Sequence, residues 1–246
     1  MIQGSMVRIN ELWKFIIKER CLLHNQSFQE VIRSRSSIRQ FLSTPVEEEV
    51  LREILEDAQH TPSNCNTQPW DVHIVSGAKK EELKKALLNV REQGQITPDF
   101  SFDLDHYYGR YAERQIEQAQ TYYGELQIAR EDHEARQKEV MRNLTFFDAP
   151  HVAFLFMPSF GDNVRVASDI GMYAQSFLLS LTARGIGSVP QTILGFYADT
   201  VRQVLGISDD MKLMFGISFG YPDQEAKVNK IRVGREPIGS NVTLHK

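Results

Sequence analysis

Thr61-Pro62-Ser63-Asn64-Cys65-Asn66-Thr67-Gln68-Pro69-Trp70 is the stretch of this 246-residue chain that says most about its fold. It follows a helical pattern and precedes an apolar alternation, so we predict a loop between two elements. Asn and Gln side chains carry both a donor and an acceptor, which suits the edge of a flat heterocycle with ring nitrogens and carbonyls. Asn, Ser and Pro are also ordinary turn formers, so a plain surface turn remains the alternative for these residues alone.

Long helices and a few well-separated strands surround this loop. Apolar periodicity predicts helices over residues 28–35, 44–60, 78–93, 163–184 and 198–205, and strands around 72–75, His151–Met157 and Leu213–Phe219. Thr44 and Glu47 form a capping-box pattern for the second helix. The longest helix has the clearest core face, with Val166, Ile170, Tyr173, Phe177 and Leu181. This pattern predicts a layered α/β sandwich, and no G-x-G-x-x-G dinucleotide fingerprint follows a strand.

Residues 95–147 differ in composition from the rest of the chain. They are rich in charged residues and tyrosine and poor in β-branched residues. We expect two or three mobile helices here. Tyrosines between 107 and 123 could stack on an aromatic substrate or on nicotinamide, or they could belong to a plain packed helix pair. The last 24 residues have few apolar anchors, and a tail of this kind is often held by another chain.

Composition excludes several classes of function. The formal net charge of −4 argues against a nucleic-acid partner, and no run of eighteen apolar residues predicts a membrane span. Two cysteines without a pairing pattern favour the reducing cytoplasm. The scattered histidines predict no metal site. The first residues lack a convincing secretory signal and read instead as a short amphipathic helix.

Arginines cluster at two distant places in the sequence. Between Val31 and Thr44 the chain contains Arg33, Arg35 and Arg39 but no acidic residue. Guanidinium groups match phosphate oxygens, and serine hydroxyls can fill the remaining positions, so this segment could cradle a phosphate. A solvated basic turn is the alternative. Arg232 and Arg235 near the C-terminus allow the same two interpretations.

Taken together, these segments resemble the FMN-dependent nitroreductase family. The resemblance spans about residues 27–242 and rests on Arg35-Ser36-Ser37-Ile38-Arg39-Gln40-Phe41, Pro62 to Trp70, Gly187-Ser188-Val189-Pro190-Gln191 and Gly234-Arg235-Glu236-Pro237-Ile238. It is strongest to the subgroup that reduces nitrobenzoates and related nitroaromatics. The resemblance implies a three-layer α-β-α sandwich of the α+β type with a mixed central sheet, in an intertwined homodimer. Residues 1–26 would be an extension, and 27–246 a single FMN-binding domain with a helical lid insertion at about 95–147.

The resemblance also implies roles for individual residues. Arg35, Ser37 and Arg39 would contact the FMN phosphate and ribityl chain, with Arg39 also near the ring edge. Ser36 would add a contact, and Arg235 would close on the phosphate. Pro62, Ser63 and Asn64 would line the ring across the dimer interface, while Asn66 and Gln68 would bind the ribityl chain and hold the loop. Pro190, Gln191 and Thr192 would pass behind the ring. Val233 stands where family members often carry a second cation, and Arg232 is the candidate to replace it.

The implied activity is hydride transfer from NAD(P)H to a small aromatic acceptor, nitroaromatic or quinone-like, by a ping-pong mechanism. Because the flavin carries the redox chemistry, no side chain is assigned a catalytic proton transfer. The alternatives are reductive dehalogenation, enone reduction or flavin cleavage on the same scaffold, and a non-catalytic protein that binds or stores flavin.

Overall fold

A four-stranded antiparallel sheet forms the centre of the computed structural model, which describes residues 26–246. The strands are β1 (Asp71–Ser76), β2 (His151–Met157), β3 (Gly187–Gln191) and β4 (Lys212–Gly220), in the order β1-β2-β4-β3. Every residue of β2 is buried, as its uninterrupted apolar run predicts. The β2 bounds expected from the sequence are therefore confirmed.

The expectation of a mixed sheet is wrong for these residues, because all three strand pairs are antiparallel. The only parallel contact that the described chain makes with the sheet is an isolated bridge between Ser37 and Ser188. A strand covered by helices on both faces has the same continuous apolar composition whichever way its neighbours run. Composition therefore reports the burial of β2 and not the direction of its partners.

Seven helices are described. They are α1 (Phe28–Ser34), α2 (Glu48–Gln59), α3 (Gly77–Glu92), α4 (Arg110–Glu125), α5 (His133–Met141), α6 (Val164–Ala183) and α7 (Ala198–Leu205). Short 3₁₀ turns lie at Asn64–Asn66, Leu104–His106, Phe146–Asp148, Thr192–Phe196, Lys227–Lys230 and Ile238–Ser240. The amphipathic helix predicted for the first residues lies outside the described part of the chain.

Helices cover both faces of the sheet, which confirms the three-layer arrangement. On one face α2 and α6 pack against the sheet, with Ile54 and Phe177 among the residues that meet Leu155 and Ile217. On the other face α3 and α7 enclose a second core that includes Phe154. All five residues of the predicted α6 core face are at most 5% exposed. Gly206 ends α7 with φ of 70°, a conformation that glycine adopts without steric cost.

The start of α2 differs from the prediction. The helix begins at Glu48, and Glu47 at its N-cap makes no side-chain capping hydrogen bond. The preceding Val46 is buried, and its N–H donates to Nε2 of the buried His151 at 2.9 Å. This tertiary contact holds Val46 outside the helix. The capping box that does form belongs to α1, where Ser27 and Glu30 bond reciprocally.

Residues 95–147, for which the sequence predicts a lid insertion, consist mainly of α4 and α5. This segment is tied to the core where it begins. Asp99 Oδ2 accepts hydrogen bonds from Arg202 Nη1 at 2.6 Å and from the Leu213 N–H at 2.7 Å. Arg202 also pairs with Asp199 on α7 at 2.5 Å. Buried, paired charges of this kind fix the position of the chain that carries them.

Candidate functional site

A cavity of about 1010 Å³ lies between the loop after α1, the helices α4 and α6, the end of β3 and the C-terminal segment. Its lining residues are Ile32, Arg33, Arg35, Ser36, Ser37, Arg39, Gln118, Tyr122, Gln175, Leu178, Pro190, Ile231, Arg232, Val233 and Arg235. Seven of the fourteen predicted site residues are among them: Arg35, Ser36, Ser37, Arg39, Pro190, Arg232 and Arg235. The structure thus brings both arginine clusters to one place.

The lining is strongly cationic. It contains five arginines and no aspartate or glutamate. Within residues 26–246, none of these arginines forms an ion pair with a carboxylate. Guanidinium groups without acidic partners keep their donors available for an anion.

Burial and mutual repulsion act on these cations. Burial lowers the pKa of Arg35, and the nearby positive charge of Arg235 lowers it further. Burial also lowers the pKa of Arg39, against the opposing effects of Tyr122 and Glu139. Both guanidinium groups remain charged at neutral pH. A bound anion would relieve the repulsion, so the cavity favours an anionic ligand.

The loop of residues 35–41, which we call the cation loop, carries Arg35 and Arg39 and is anchored by its apolar residues. Ile38 and Phe41 are buried with Phe147 and Val189, and the Ile38 N–H donates to the Ser188 carbonyl at 3.0 Å. Gly187 permits this approach, because a Cβ there would lie 2.7 Å from Ile38 Cγ1. Burying the apolar residues of the loop leaves its arginines at the cavity.

Arg39 stacks on an aromatic residue of the insertion. Its guanidinium carbon lies 4.6 Å from the ring centroid of Tyr122 on α4. The Tyr122 hydroxyl donates to Glu139 Oε1 at 2.5 Å, and burial together with this hydrogen bond raises the pKa of Tyr122 above its usual value. Arg142 pairs with Glu139 and donates to the Arg39 carbonyl oxygen. The insertion is therefore linked directly to the cation loop.

The C-terminal arginines are held by backbone carbonyls. Arg232 Nη1 donates to the carbonyl oxygens of Asn229 at 2.6 Å and Ile231 at 2.9 Å. Arg235 Nη1 donates to those of Val233 and Gly234. Val233 lines the cavity where a second cation was expected, and Arg232 lies beside it. Both guanidinium groups keep further donors for a ligand.

The loop at residues 61–70 lies apart from this cavity in the single chain. None of Pro62, Ser63, Asn64, Asn66 and Gln68 lines it. Three of its non-glycine residues have positive φ, with 52° at Cys65, 56° at Asn66 and 47° at Gln68. The Gln68 N–H donates to Ser63 Oγ at 2.9 Å, and the Asn64 N–H donates to the buried carboxylate of Asp169 on α6. Pro62, Asn64, Asn66 and Gln68 are exposed in the described chain.

The end of β3 contributes Pro190 alone to the cavity lining. The side chain of Gln191 is buried, donates to the Asn143 carbonyl at 3.0 Å and accepts from Ser218 Oγ. Thr192 begins a 3₁₀ turn and does not line the cavity. Gln191 thus positions the backbone of this segment, with its side chain turned into the protein.

Several lining residues were not singled out from the sequence. Tyr122 is one of five tyrosines between residues 107 and 123, and nothing local distinguishes it from Tyr123. Gln175 and Leu178 lie on α6 beside its core face, where a helical pattern gives no sign of a ligand. A smaller cavity of about 180 Å³ continues past Tyr122 and Pro190 towards Asn143 and Phe147.

We also searched the part of the chain that the structure describes for metal sites and membrane-spanning helices. No group of three or more His, Cys, Asp or Glu residues there is placed to hold a metal ion. Every helix there is too short or too polar to cross a lipid bilayer. The lining residues of the cavity include no histidine, cysteine or carboxylate.

Comparisons with known proteins agree with this geometry. The model of the nitroreductase family matches residues 32–221. A nitroreductase, NfnB of Mycolicibacterium smegmatis, is 42% identical over 221 residues, covering 90% of this chain and 94% of the relative. A 4-nitrobenzoate reductase of Pseudomonas putida is 32% identical over 216 residues, covering 87% of this chain and 93% of the relative.

A solved structure extends the similarity to three dimensions. The FMN-dependent nitroreductase NfnB from Mycobacterium smegmatis, in complex with NADPH, has a TM-score of 0.86 at 40% identity, covering 89% of this chain and 97% of that one. The family-model match over residues 32–221 includes the cation loop, the 61–70 loop and the whole sheet. By sequence and by fold, this chain belongs to the nitroreductase family.

Proposed function

We propose that this protein is an FMN-dependent oxidoreductase that transfers hydride from NAD(P)H to a nitroaromatic or quinone-like acceptor by a ping-pong mechanism. The observation that carries the proposal is the meeting of Arg35 and Arg39 with Arg232 and Arg235 in one cavity without acidic residues. A ligand that is flat at one end and carries a phosphate at the other fits this site. Family membership supports the same activity.

The residues present fit FMN. Arg35, Arg39 and Arg235 would hold its phosphate, and Ser36 and Ser37 would bind phosphate or ribityl oxygens. Pro190 would contact the ring, with the backbone of Gln191 and Thr192 behind it. When bound, the flavin supplies the redox chemistry. The chain itself binds and orients, and we assign no side chain to a proton-transfer step.

The choice of reductant and acceptor rests on the relatives. One similar solved structure is described as an FMN-dependent nitroreductase in complex with NADPH, and another as FMN and NADPH dependent. Two similar proteins are named 4-nitrobenzoate reductases. We therefore propose NAD(P)H as the electron donor and a small, electron-poor aromatic compound as the acceptor. Both would use the same open cavity in turn, next to α4 of the insertion, which would act as a lid.

A homodimer would complete the site. The 61–70 loop packs on α6 away from the cavity of its own chain, so a second copy is needed to bring Pro62, Ser63, Asn64, Asn66 and Gln68 to the flavin ring. The outer side of α6 exposes Met172 beside Gly171 and Ser168, a surface that allows close helix contact. The C-terminal segment exposes Ile238 and Leu244 at 78% and 79%, as expected for a tail that another subunit covers.

The same proposal covers the organisation and location of the chain. We propose that residues 27–246 form one FMN-binding domain, with the insertion at about 95–147 and an extension over residues 1–26. The cytoplasm is the proposed compartment, and the free, exposed thiol of Cys65 agrees with a reducing environment.

The visible spectrum of the purified protein tests this function. We expect a flavin spectrum, or its appearance after addition of FMN, followed by bleaching under anaerobic NADH or NADPH and recolouring by a nitroarene. A colourless protein that does not bind added FMN would contradict the proposal. Binding without bleaching would identify a flavin carrier. Parallel assays with a halogenated phenol and an enone would detect the alternative activities on this scaffold.

A further inference from the structure

The side chain of Asn229 joins the two halves of the cationic site. Its Oδ1 accepts hydrogen bonds from the N–H groups of Arg39 at 2.8 Å and Gln40 at 3.2 Å. Its Nδ2 donates to the carbonyl oxygens of Gln40 at 2.7 Å and Asp223 at 2.9 Å. One amide thus fixes the loop that carries Arg39 to the segment that begins at Asp223.

The backbone of the same residue holds the other half of the site. The Asn229 carbonyl oxygen accepts from Arg232 Nη1 at 2.6 Å. The residue is only 6% exposed and does not line the cavity. Its hydrogen bonds therefore hold Arg39 and Arg232 in position, although Asn229 itself does not contact the cavity.

Only an amide side chain satisfies all four side-chain contacts. The site offers two N–H donors and two carbonyl acceptors, and asparagine supplies one acceptor group and one donor group at this length. An aspartate would face the carbonyl oxygens of Gln40 and Asp223 with a negatively charged oxygen. An alanine would leave buried polar groups unpaired, which is costly.

We propose that Asn229 is a positioning residue that couples the cation loop to the C-terminal arginines. It thereby sets the affinity of the site for the phosphate of the cofactor. This inference rests on the proposed function, because the phosphate is that of FMN. It predicts that Asn229 governs recognition of the phosphate end and has little influence on the binding of the ring.

Affinities for FMN and riboflavin separate these two effects, because riboflavin has the same ring and ribityl chain without the phosphate. In Asn229→Ala we expect the Kd of FMN to rise about tenfold or more and the Kd of riboflavin to change less than twofold, measured by fluorescence titration. Saturating FMN should restore the wild-type kcat. Asn89→Ala, at an exposed position on α3, is the matched control and should leave both affinities unchanged.

Asn229→Asp provides a second test if the alanine variant does not fold, because it keeps the acceptor for Arg39 and Gln40. We expect the same selective loss for FMN. Equal weakening of FMN and riboflavin, or no change in either, would overturn the role of Asn229. A wild-type protein that shows no preference for FMN over riboflavin would instead contradict the proposed function, so the two failures are distinguishable.

Discussion

Arg35 and Arg235 come from opposite ends of the described chain and lie close enough for each charge to oppose the other. Such an arrangement lowers the stability of the empty site and has no evident structural benefit. Its natural explanation is an anionic ligand that pairs with both residues. At the scale of single residues, these unpaired cations are the clearest sign of function.

Arg35→Ala and Arg235→Ala test that explanation. A hydrogen bond to a charged group contributes about 1.5–3 kcal/mol, so each change should raise the Kd of FMN by about ten- to a hundredfold. The double variant should be purified without flavin. Arg91→Ala, at an exposed position near the end of α3, is the control. Wild-type affinity in both single variants would exclude these arginines from the phosphate site.

Tyr173 gives a prediction for alkaline pH. It is 1% exposed, and burial raises its pKa to about 12. The folded state favours the neutral hydroxyl of Tyr173 over its ionised form. The stability that this preference contributes is complete below about pH 10 and is lost as the pH rises towards 12. Tyr173→Phe removes the titration and leaves the packed ring in place.

Urea unfolding at pH 7 and pH 11 measures this effect. The free energy of unfolding of the wild-type protein should fall by about 1 kcal/mol more between these two pH values than that of Tyr173→Phe. Comparison of the two proteins cancels the titration of lysines and of other tyrosines. An identical pH dependence would show that Tyr173 ionises equally in the folded and unfolded states.

At the scale of elements, the insertion is attached to the site by one network of side chains. Glu139 on α5 accepts from Tyr122 on α4 and pairs with Arg142, which reaches the backbone of Arg39. The Glu139 side chain is 11% exposed and that of Arg142 is 24% exposed. The network therefore orders α4, α5 and the cation loop relative to one another.

Glu139→Ala should loosen the insertion. It leaves the Arg142 charge and the Tyr122 hydroxyl without their partner, and loss of one member of a largely buried pair destabilises the fold by about 2 kcal/mol or more. Limited proteolysis should cleave faster between residues 95 and 147, and the KM for the acceptor should rise. Glu131→Ala, at an exposed position in the same insertion, should behave like wild type. Equal proteolysis rates in the two variants would refute this account.

At the scale of the whole molecule, the parts of the proposed site are distributed over surfaces that one chain does not bring together. The arginine cavity and the 61–70 loop both contact α6, but the loop residues are absent from the cavity lining. Assembly of two copies is therefore a condition for function in our proposal. It also explains the exposed apolar side chains on α6 and in the C-terminal segment.

Met172→Glu tests assembly and flavin binding together. The side chain is 38% exposed on α6, and a carboxylate buried without a partner in an interface is unfavourable. Light scattering should give twice the 28.3 kDa chain mass for wild type and a single chain mass for the variant, which should also lose FMN. Ala78→Glu adds the same charge at an exposed position on α3 and should remain dimeric. A dimeric Met172→Glu variant that retains FMN would contradict the proposed interface.

Elements whose signals are local follow from the order of the amino acids alone. The buried run His151–Met157, the core face of α6, and α7 with its terminal Gly206 appear in the structure as predicted, because periodicity and helix-ending residues act between near neighbours. The segments of the resemblance also identified the family. The first arginine cluster was visible as a run without acidic residues and the second as two arginines flanking a glycine. Their convergence could be expected only through that resemblance.

Three-dimensional packing fixes the direction of the strands and the inward orientation of the Gln191 side chain. It also fixes the contact of Arg39 with Tyr122 and the hydrogen bonds of Asn229. Each depends on contacts between residues far apart in the chain, such as Asn229 with Arg39 or Val46 with His151. These contacts leave no periodic trace in the sequence, because a polar side chain has the same local pattern whether it faces solvent or a distant backbone group. Their geometry is fixed only when the layers pack.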